Sequence, residues 1–136
     1  MTSLSIFKSF ILVTIACLFA GCEHSVAGPH SSDLPIHYVS ASSELIEGGM
    51  VRIRVDVRNA KQDAAVLYFA NCAAARFAIN GGFAFVRNIA STIDYKSNLK
   101  SAEADYLISS DLKPGSQKLD AEVVAINCAE NGIPMI

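Results

Sequence analysis

The stretch MVRIRVDVR, residues 50–58, decides the fold of this chain. From Val51 onward, aliphatic residues alternate with charged ones. The aliphatic positions are Val51, Ile53, Val55 and Val57, and the charged positions are Arg52, Arg54, Asp56 and Arg58. A period of two residues is typical of a β-strand with one buried face and one wet face. The sequence therefore predicts a sheet with a polar side.

The segments on either side of this strand predict further elements. Gly48-Gly49 predicts a turn before it, and a short strand is expected from Ile36 through Val39. After it, an Ala-rich segment from about Lys61 to Asn80 has helical spacing of its apolar residues. Asn59 and Gln62 stand at the spacing of a capping box, and Gly81-Gly82 predicts the helix end.

A second strand is predicted at Phe83–Ile89, directly after that helix. A strand, a helix and a strand with short joints predict a βαβ unit with parallel strands and a right-handed crossover. Polar residues from Ser91 to Glu103 predict a long loop, and Asp105 to Leu112 a third strand. A second helix is expected after Leu119, with Asp120 as its N-cap and Asn131-Gly132 as its end, although Val123-Val124 leaves a strand possible.

These elements predict an α+β fold for residues 36–136. We expect a two-layer sandwich, with a small mixed sheet of three or four strands and two helices on one of its faces.

The N-terminal residues have the pattern of an export signal. Lys8 precedes an apolar run over 10–20, which is too short to cross a bilayer, and Ala20-Gly21-Cys22 follows. The motif resembles the lipobox of bacterial lipoproteins, in which the cysteine is acylated and cleavage occurs before it. The resemblance implies a signal peptide at 1–21, lipidation of Cys22 and a Ser/Gly/Pro-rich tether at 22–35. An ordinary secretory signal is the alternative.

The predicted signal peptide and lipobox determine where we expect the protein to be located. We expect a membrane-attached protein of the bacterial cell envelope. Glu23 stands where the inner-membrane retention signal of enteric lipoproteins has Asp, which favours the periplasmic side of the outer membrane. The net charge of −2 argues against a nucleic-acid partner, which requires a concentrated basic surface.

Two cysteines besides Cys22 remain after the predicted cleavage site. Cys72 and Cys128 fall on the two predicted helices. In an oxidising compartment such a pair favours a disulfide, and two small buried hydrophobic residues are the alternative. The pair is too far apart in sequence for the CxxC motif of a redox enzyme.

The histidines give only weak evidence for a metal site or a catalytic site. His24, His30 and His37 lie in or beside the tether without the spacing of a metal motif, so no metal ligands and no cofactor are predicted. No histidine follows residue 37, which excludes a Ser-His or Cys-His pair unless the tether folds back. No catalytic residue is predicted.

Arginines mark one possible binding surface. Arg52, Arg54 and Arg58 share the polar face of the central strand, and Arg87 stands on the next predicted strand. A solvated face is the favoured interpretation, and docking of an anion or a partner protein is the alternative.

Several segments resemble those of small uncharacterised proteobacterial lipoproteins. They are Val51–Asn59, Asn71–Arg76, Gly82–Val86 and Leu119–Val123. The resemblance implies a lipobox followed by a βαββα domain, and it supplies no activity.

We therefore expect a non-enzymatic envelope lipoprotein that contacts another envelope component through its polar sheet face or its Ser91–Glu103 loop. The alternatives are a binding module for a small anion, glycan or metal ion, and an unrecognised hydrolase.

Overall fold

The computed structural model describes residues 34–111 and 118–136. These all belong to the second of two compact units of the chain, 1–32 and 33–136. The predicted signal peptide, Cys22 and nearly all of the tether lie outside the described residues. The strands are β1 (His37–Ile46), β2 (Met50–Arg58), β3 (Phe85–Lys96), β4 (Leu99–Ser109) and β5 (Leu119–Asp120), and the helices are α1 (Asp63–Asn80) and α2 (Ala121–Glu130).

The α+β class is confirmed, but the predicted sheet was wrong in two respects. The sheet has five strands rather than three or four, in the order β1-β2-β4-β3-β5. All neighbouring strands are antiparallel, so the sheet is not mixed. Strands β2 and β3 do run parallel to each other across α1, but β4 lies between them and pairs with both.

The predicted loop from Ser91 to Glu103 was also wrong, because this segment forms most of a β-hairpin. Strands β3 and β4 pair from Phe85↔Ser109 to Lys96↔Leu99, and Ser97 adopts a left-handed φ of 59° at the tip. Most of β3 beyond Val86 is exposed. A strand that is wet on both faces lacks the apolar alternation from which strands are recognised. The same reason explains why β1 is longer than the predicted Ile36–Val39.

Both helices lie close to their predicted positions, although the predicted capping box of α1 is wrong. Gln62 is the N-cap but makes no side-chain capping bond. Asn59 instead has a left-handed φ of 59° and donates to the carbonyl oxygen of Pro35 at 3.2 Å. In α2, the Asp120 carboxylate accepts from the backbone N–H groups of Glu122 and Val123, as expected for an N-cap.

The two helices end in the same way. At the end of α1, Phe83 N–H donates to Ala78 and Gly82 N–H to Ile79, which is a Schellman motif. The end of α2 repeats the pattern, with Ile133 N–H donating to Cys128 and Gly132 N–H to Ala129. Gly82 and Gly132 have φ values of 77° and 65°, which glycine adopts without steric cost.

The core lies between α1 and one face of the sheet. Strand β2 buries Val51, Ile53, Val55 and Val57, each at most 1% exposed, and α1 buries five alanines as well as Phe69. Small alanine side chains let the helix axis approach the strands closely. The Phe69 ring lies 4.8 Å from that of Tyr38 on β1, so this one side chain ties the helix to an edge of the sheet.

The core predicts a contrast between two adjacent aromatic residues of α1. Phe69→Ala should lower the free energy of unfolding by about 3–5 kcal/mol, because it removes a buried ring and leaves a cavity. The matched variant Tyr68→Ala removes a ring that is 36% exposed and should cost less than about 1 kcal/mol. Urea unfolding of both variants measures the difference, and equal losses would contradict this packing.

Candidate functional site

The candidate site is the face of the sheet opposite α1, here called the open face. Within the described residues, no helix covers it. It is formed by alternate residues of the four long strands, which the register places side by side. By the strand register, its polar residues are His37, Ser40, Ser42, Glu44, Arg52, Arg54, Asp56, Arg58, Arg87, Thr92, Asp94, Lys96, Ser101, Glu103 and Asp105. The alternation that buries the valines of β2 places its charged residues on this side.

Five charged side chains of the open face form a continuous ion-pair ladder, in the order Glu44, Arg54, Glu103, Arg52 and Asp105. Arg52 binds Asp105 with two parallel bonds, Nε to Oδ1 at 2.7 Å and NH2 to Oδ2 at 2.9 Å. Arg54 donates to Glu103 at 2.8 Å and to Glu44 at 3.0 Å. Arg52 Nε also lies 3.4 Å from Glu103. The ladder therefore links β1, β2 and β4 across the sheet.

The ladder shifts the pKa values of three of its members. The hydrogen bond from Arg52 lowers the pKa of Asp105 below its ordinary value. The bond that Arg52 donates to Asp105 raises the pKa of Arg52, and the bonds that Arg54 donates to Glu103 and Glu44 raise the pKa of Arg54. Two of the arginines suggested as an anion-binding face are thus already paired with three carboxylates, and a single added anion would compete with all of them.

The four predicted arginines do not converge on one point. Arg58 is exposed at the end of β2, where it lies opposite Leu99. Arg87 lies opposite Leu107, and its Nε is buried without a hydrogen-bond partner in the described part of the chain.

A depression of about 320 Å³ lies in the middle of the open face. Residues of all four long strands line it: Ser40, Ser42, Arg54, Val55, Asp56, Asp94, Ser101, Ala102 and Glu103. Its centre is the Asp56 carboxylate, which accepts from the hydroxyls of Ser40 at 2.7 Å and Ser101 at 2.5 Å. Hydroxyls that donate to a carboxylate keep their lone pairs, which can accept hydrogen bonds from a polar ligand.

Cys72 of α1 and Cys128 of α2 lie together as a disulfide. Their Sγ atoms are 1.98 Å apart and their Cα atoms 6.1 Å apart. Both residues are fully buried. The bond fastens the short helix α2 to α1, which suits a structural role rather than thiol chemistry.

A second polar cluster joins the start of α1 to the β3–β4 hairpin. Lys100 Nζ donates to Asp63 at 2.8 Å, and the Tyr95 hydroxyl donates to the same carboxylate at 2.5 Å. The two bonds lower the pKa of Asp63, and the bond to Asp63 raises that of Tyr95. The cluster serves as a support for the sheet, since its members lie around the helix terminus and not on the open face.

Of the remaining predicted positions, His37 lies on the open face, opposite Arg58. Cys22, His24 and His30 lie outside the described residues, and His37 is an exposed residue at the start of β1. In residues 34–111 and 118–136, no three His, Cys, Asp or Glu side chains are grouped as metal ligands. Neither described helix combines the length and the apolarity that a membrane span requires.

The acidic half of the ladder was not predicted from the sequence. Glu103 and Asp105 repeat at the same two-residue spacing as Arg52 and Arg54, which is the signal that could have revealed them. Opposite charges at matching spacing indicate paired antiparallel strands. The signal was lost because Glu103 was assigned to a loop.

The disulfide leads to a prediction about stability. Replacing both cysteines by alanine should lower the free energy of unfolding by about 4 kcal/mol in the chain-entropy model, because the bond spans 56 residues. At about 4–8 °C per kcal/mol for a domain of this size, the melting temperature should fall by about 15–30 °C. A reducing agent should lower the melting temperature of the parent protein and leave that of the double variant unchanged. A fully reduced parent with an unaltered melting temperature would contradict the prediction.

The ladder leads to a prediction about pH. A carboxyl with a lowered pKa stabilises the fold above its unfolded pKa of about 3.9, and this contribution disappears as the pH falls through its folded pKa. Asp105→Asn should therefore reduce the urea midpoint at neutral pH, and the reduction should shrink as the pH falls through the lowered folded pKa of Asp105. Asp94→Asn, on the same face but without an ion pair among the described residues, is the matched control and should leave the midpoint unchanged. A loss that is equally large in acid would show that the charge of Asp105 is not responsible.

One comparison with known proteins finds a match, and the match covers most of the described fold. No curated protein and no solved structure matches the chain significantly. One family model, described as the YNQ4 C-terminal domain, matches residues 38–132. The match runs from β1 to the end of α2 and includes both cysteines of the disulfide. It carries no activity and no information on a lipobox or a bacterial origin. The chain belongs to the YNQ4 C-terminal domain family.

Proposed function

We propose that this protein is a non-catalytic interaction module, attached by lipid to a bacterial cell envelope, that binds a partner protein through its open face. The observation that carries the proposal is the ion-pair ladder on a face that no described helix covers. Ladder residues come from three strands and are held by direct bonds between 2.7 and 3.0 Å.

A pre-formed ladder suits recognition of a polar protein surface. Its side chains are already ordered, so a partner that matches them incurs little additional loss of side-chain entropy. Alternating charges select a partner with the complementary alternation and reject like charges, which gives specificity more than affinity. The Asp56 depression beside the ladder supplies a concave place for one polar side chain of that partner.

Three features support an envelope location. Leu18–Cys22 resembles a lipobox, and several acyl chains on one cysteine would attach the protein firmly to a membrane. The Cys72–Cys128 disulfide suits an oxidising compartment. Between Cys22 and β1, the chain has a Ser/Gly/Pro-rich composition and a maximal reach of about 50 Å at 3.3–3.6 Å per residue. The periplasmic side of the outer membrane is the location we propose.

The Asp56 depression favours one second candidate, a binding module for a small glycan. Three serines and three carboxylates line it, against one arginine that is already paired. Such a lining accepts hydrogen bonds from sugar hydroxyls better than it attracts an anion.

The proposal can be tested by photo-crosslinking in living cells. A photoreactive residue at Asp94, which lines the depression, should give one specific protein adduct. The same residue at Ala129, which is exposed on α2, should not. Glu103→Gln, which removes one charge from the ladder, should weaken the Asp94 adduct severalfold.

Cys22→Ser and labelling with a fatty acid form the second arm of the experiment. Cys22→Ser should abolish both fatty-acid labelling and the adduct, because the module then leaves the membrane. Absence of label on the parent protein would refute the location. An adduct that forms equally from Ala129, or one that is insensitive to Glu103→Gln, would refute the surface.

A further inference from the structure

We propose that two copies of this chain associate by pairing their β1 strands edge to edge, in antiparallel orientation. The inference goes beyond the proposed function and does not depend on a lipid anchor. β1 stands at one end of the strand order, and within the described residues it pairs only with β2. The outer edge of this ten-residue strand therefore presents unpaired backbone N–H and C=O groups.

β1 lacks the features with which natural proteins protect an edge strand. Its sequence, HYVSASSELI, has neither lysine nor proline, and its one carboxylate, Glu44, is bound by Arg54. Its bulge, between Tyr38 and Ser40, leaves the six residues from Ala41 to Ile46 regular. The opposite edge is better protected: β5 pairs with Phe85 and Val86, a bulge follows between Asn88 and Ala90, and the part of β3 beyond the bulge carries Asp94 and Lys96. Charges, proline, bulges and coverage are the usual protection, so β1 is the less protected edge among the described residues.

A second copy is the partner that the side chains of β1 fit best. When a two-fold axis passes through Ser42, residues whose numbers add to 84 lie opposite each other. Ser40 then lies opposite the partner's Glu44, and Val39, which the bulge leaves without a partner on β2, lies nearest to the partner's Leu45. Val39 is 38% exposed and Leu45 is 64% exposed, so each gains an apolar neighbour. The apolar contact occurs twice because the interface is isologous.

The face pattern restricts the possible registers. An antiparallel pair keeps its faces matched only if the two opposed residues point to the same side of the sheet. Ser40 and Glu44 both lie on the open face, opposite Asp56 and Arg52 of β2. Moving the axis to Ser43 would put Ala41 opposite the partner's Leu45 and leave Val39 without its apolar contact. The register centred on Ser42 is therefore the one we propose.

Such pairing would join the two open faces. The two-fold axis between antiparallel edge strands stands perpendicular to the sheet, so both copies keep their helices on the same side. Two five-stranded sheets become one sheet of ten strands. A single strand edge covers less than the roughly 800 Å² per partner of a standard interface, so we expect dissociation in the micromolar range rather than an obligate dimer.

Cysteine crosslinking tests the strand and the register together. Protein from the full-length gene is purified in mild detergent with Ser42→Cys or with Thr92→Cys, a matched exposed hydroxyl residue on the opposite edge strand. Directly opposed Cβ atoms lie about 4.5–5.5 Å apart, close to the spacing of a disulfide. Mild oxidation should give a covalent dimer of Ser42→Cys, whereas Thr92→Cys and the parent protein stay monomeric on non-reducing gels.

Sedimentation equilibrium tests the apolar contact. Leu45→Lys should raise the dimer dissociation constant at least tenfold, because it removes two contacts and adds two charges at the edge. Leu119→Lys replaces another exposed leucine, on β5, and should leave the constant unchanged. Circular dichroism confirms that both variants remain folded.

Three results would overturn the inference. One is a parent protein with a dissociation constant above about 1 mM. Another is crosslinking of Thr92→Cys that equals or exceeds that of Ser42→Cys. The third is a dimer that Leu45→Lys leaves as tight as before. Each result is independent of the photo-crosslinking experiment, because none of these measurements uses a second protein or a membrane.

Discussion

Burial of one face of β2 under α1 is the constraint on which the rest of the structure depends. Val51, Ile53, Val55 and Val57 are closed off from water by the helix. Neighbouring residues of a strand point to opposite sides, so this burial forces Arg52, Arg54 and Asp56 outward. The outward charges are then matched from β4, where Asp105 and Glu103 stand opposite the two arginines. The apolar core and the polar face are thus two results of one alternation.

That alternation also explains how much the sequence could predict. The β2 pattern, the Ala-rich helix and the Asp120 N-cap depend on residues close together in the chain, and the structure has β2, α1 and α2 near their predicted positions. Predictions failed where a strand has little buried surface. β1 and the outer half of β3 consist mainly of exposed residues. Their pairing is set by strands far away in sequence, which a local pattern does not contain.

The candidate site, like the fold, was predicted from the sequence only in part. The sequence identified Arg52 and Arg54 as outward-facing but did not pair them with carboxylates. Glu103 was assigned to a loop, and Asp105 to a strand whose neighbours were not predicted. Charge partners on adjacent strands become visible only when the register is known. For the same reason Asp56 appeared as an interruption of an arginine row, whereas it forms the centre of a serine-lined depression. An arginine pattern on one strand is therefore insufficient evidence for an anion site.

The position of β4 has a consequence for the folding of the domain during synthesis. β4 fills the gap between β2 and β3, although it comes later in the chain than both. During synthesis, β2 has its inner edge bare until Ser109 has emerged, and contacts between such distant segments form slowly. A nascent chain in this condition is prone to aggregation. An N-terminal fragment that ends before β4 therefore cannot complete the sheet.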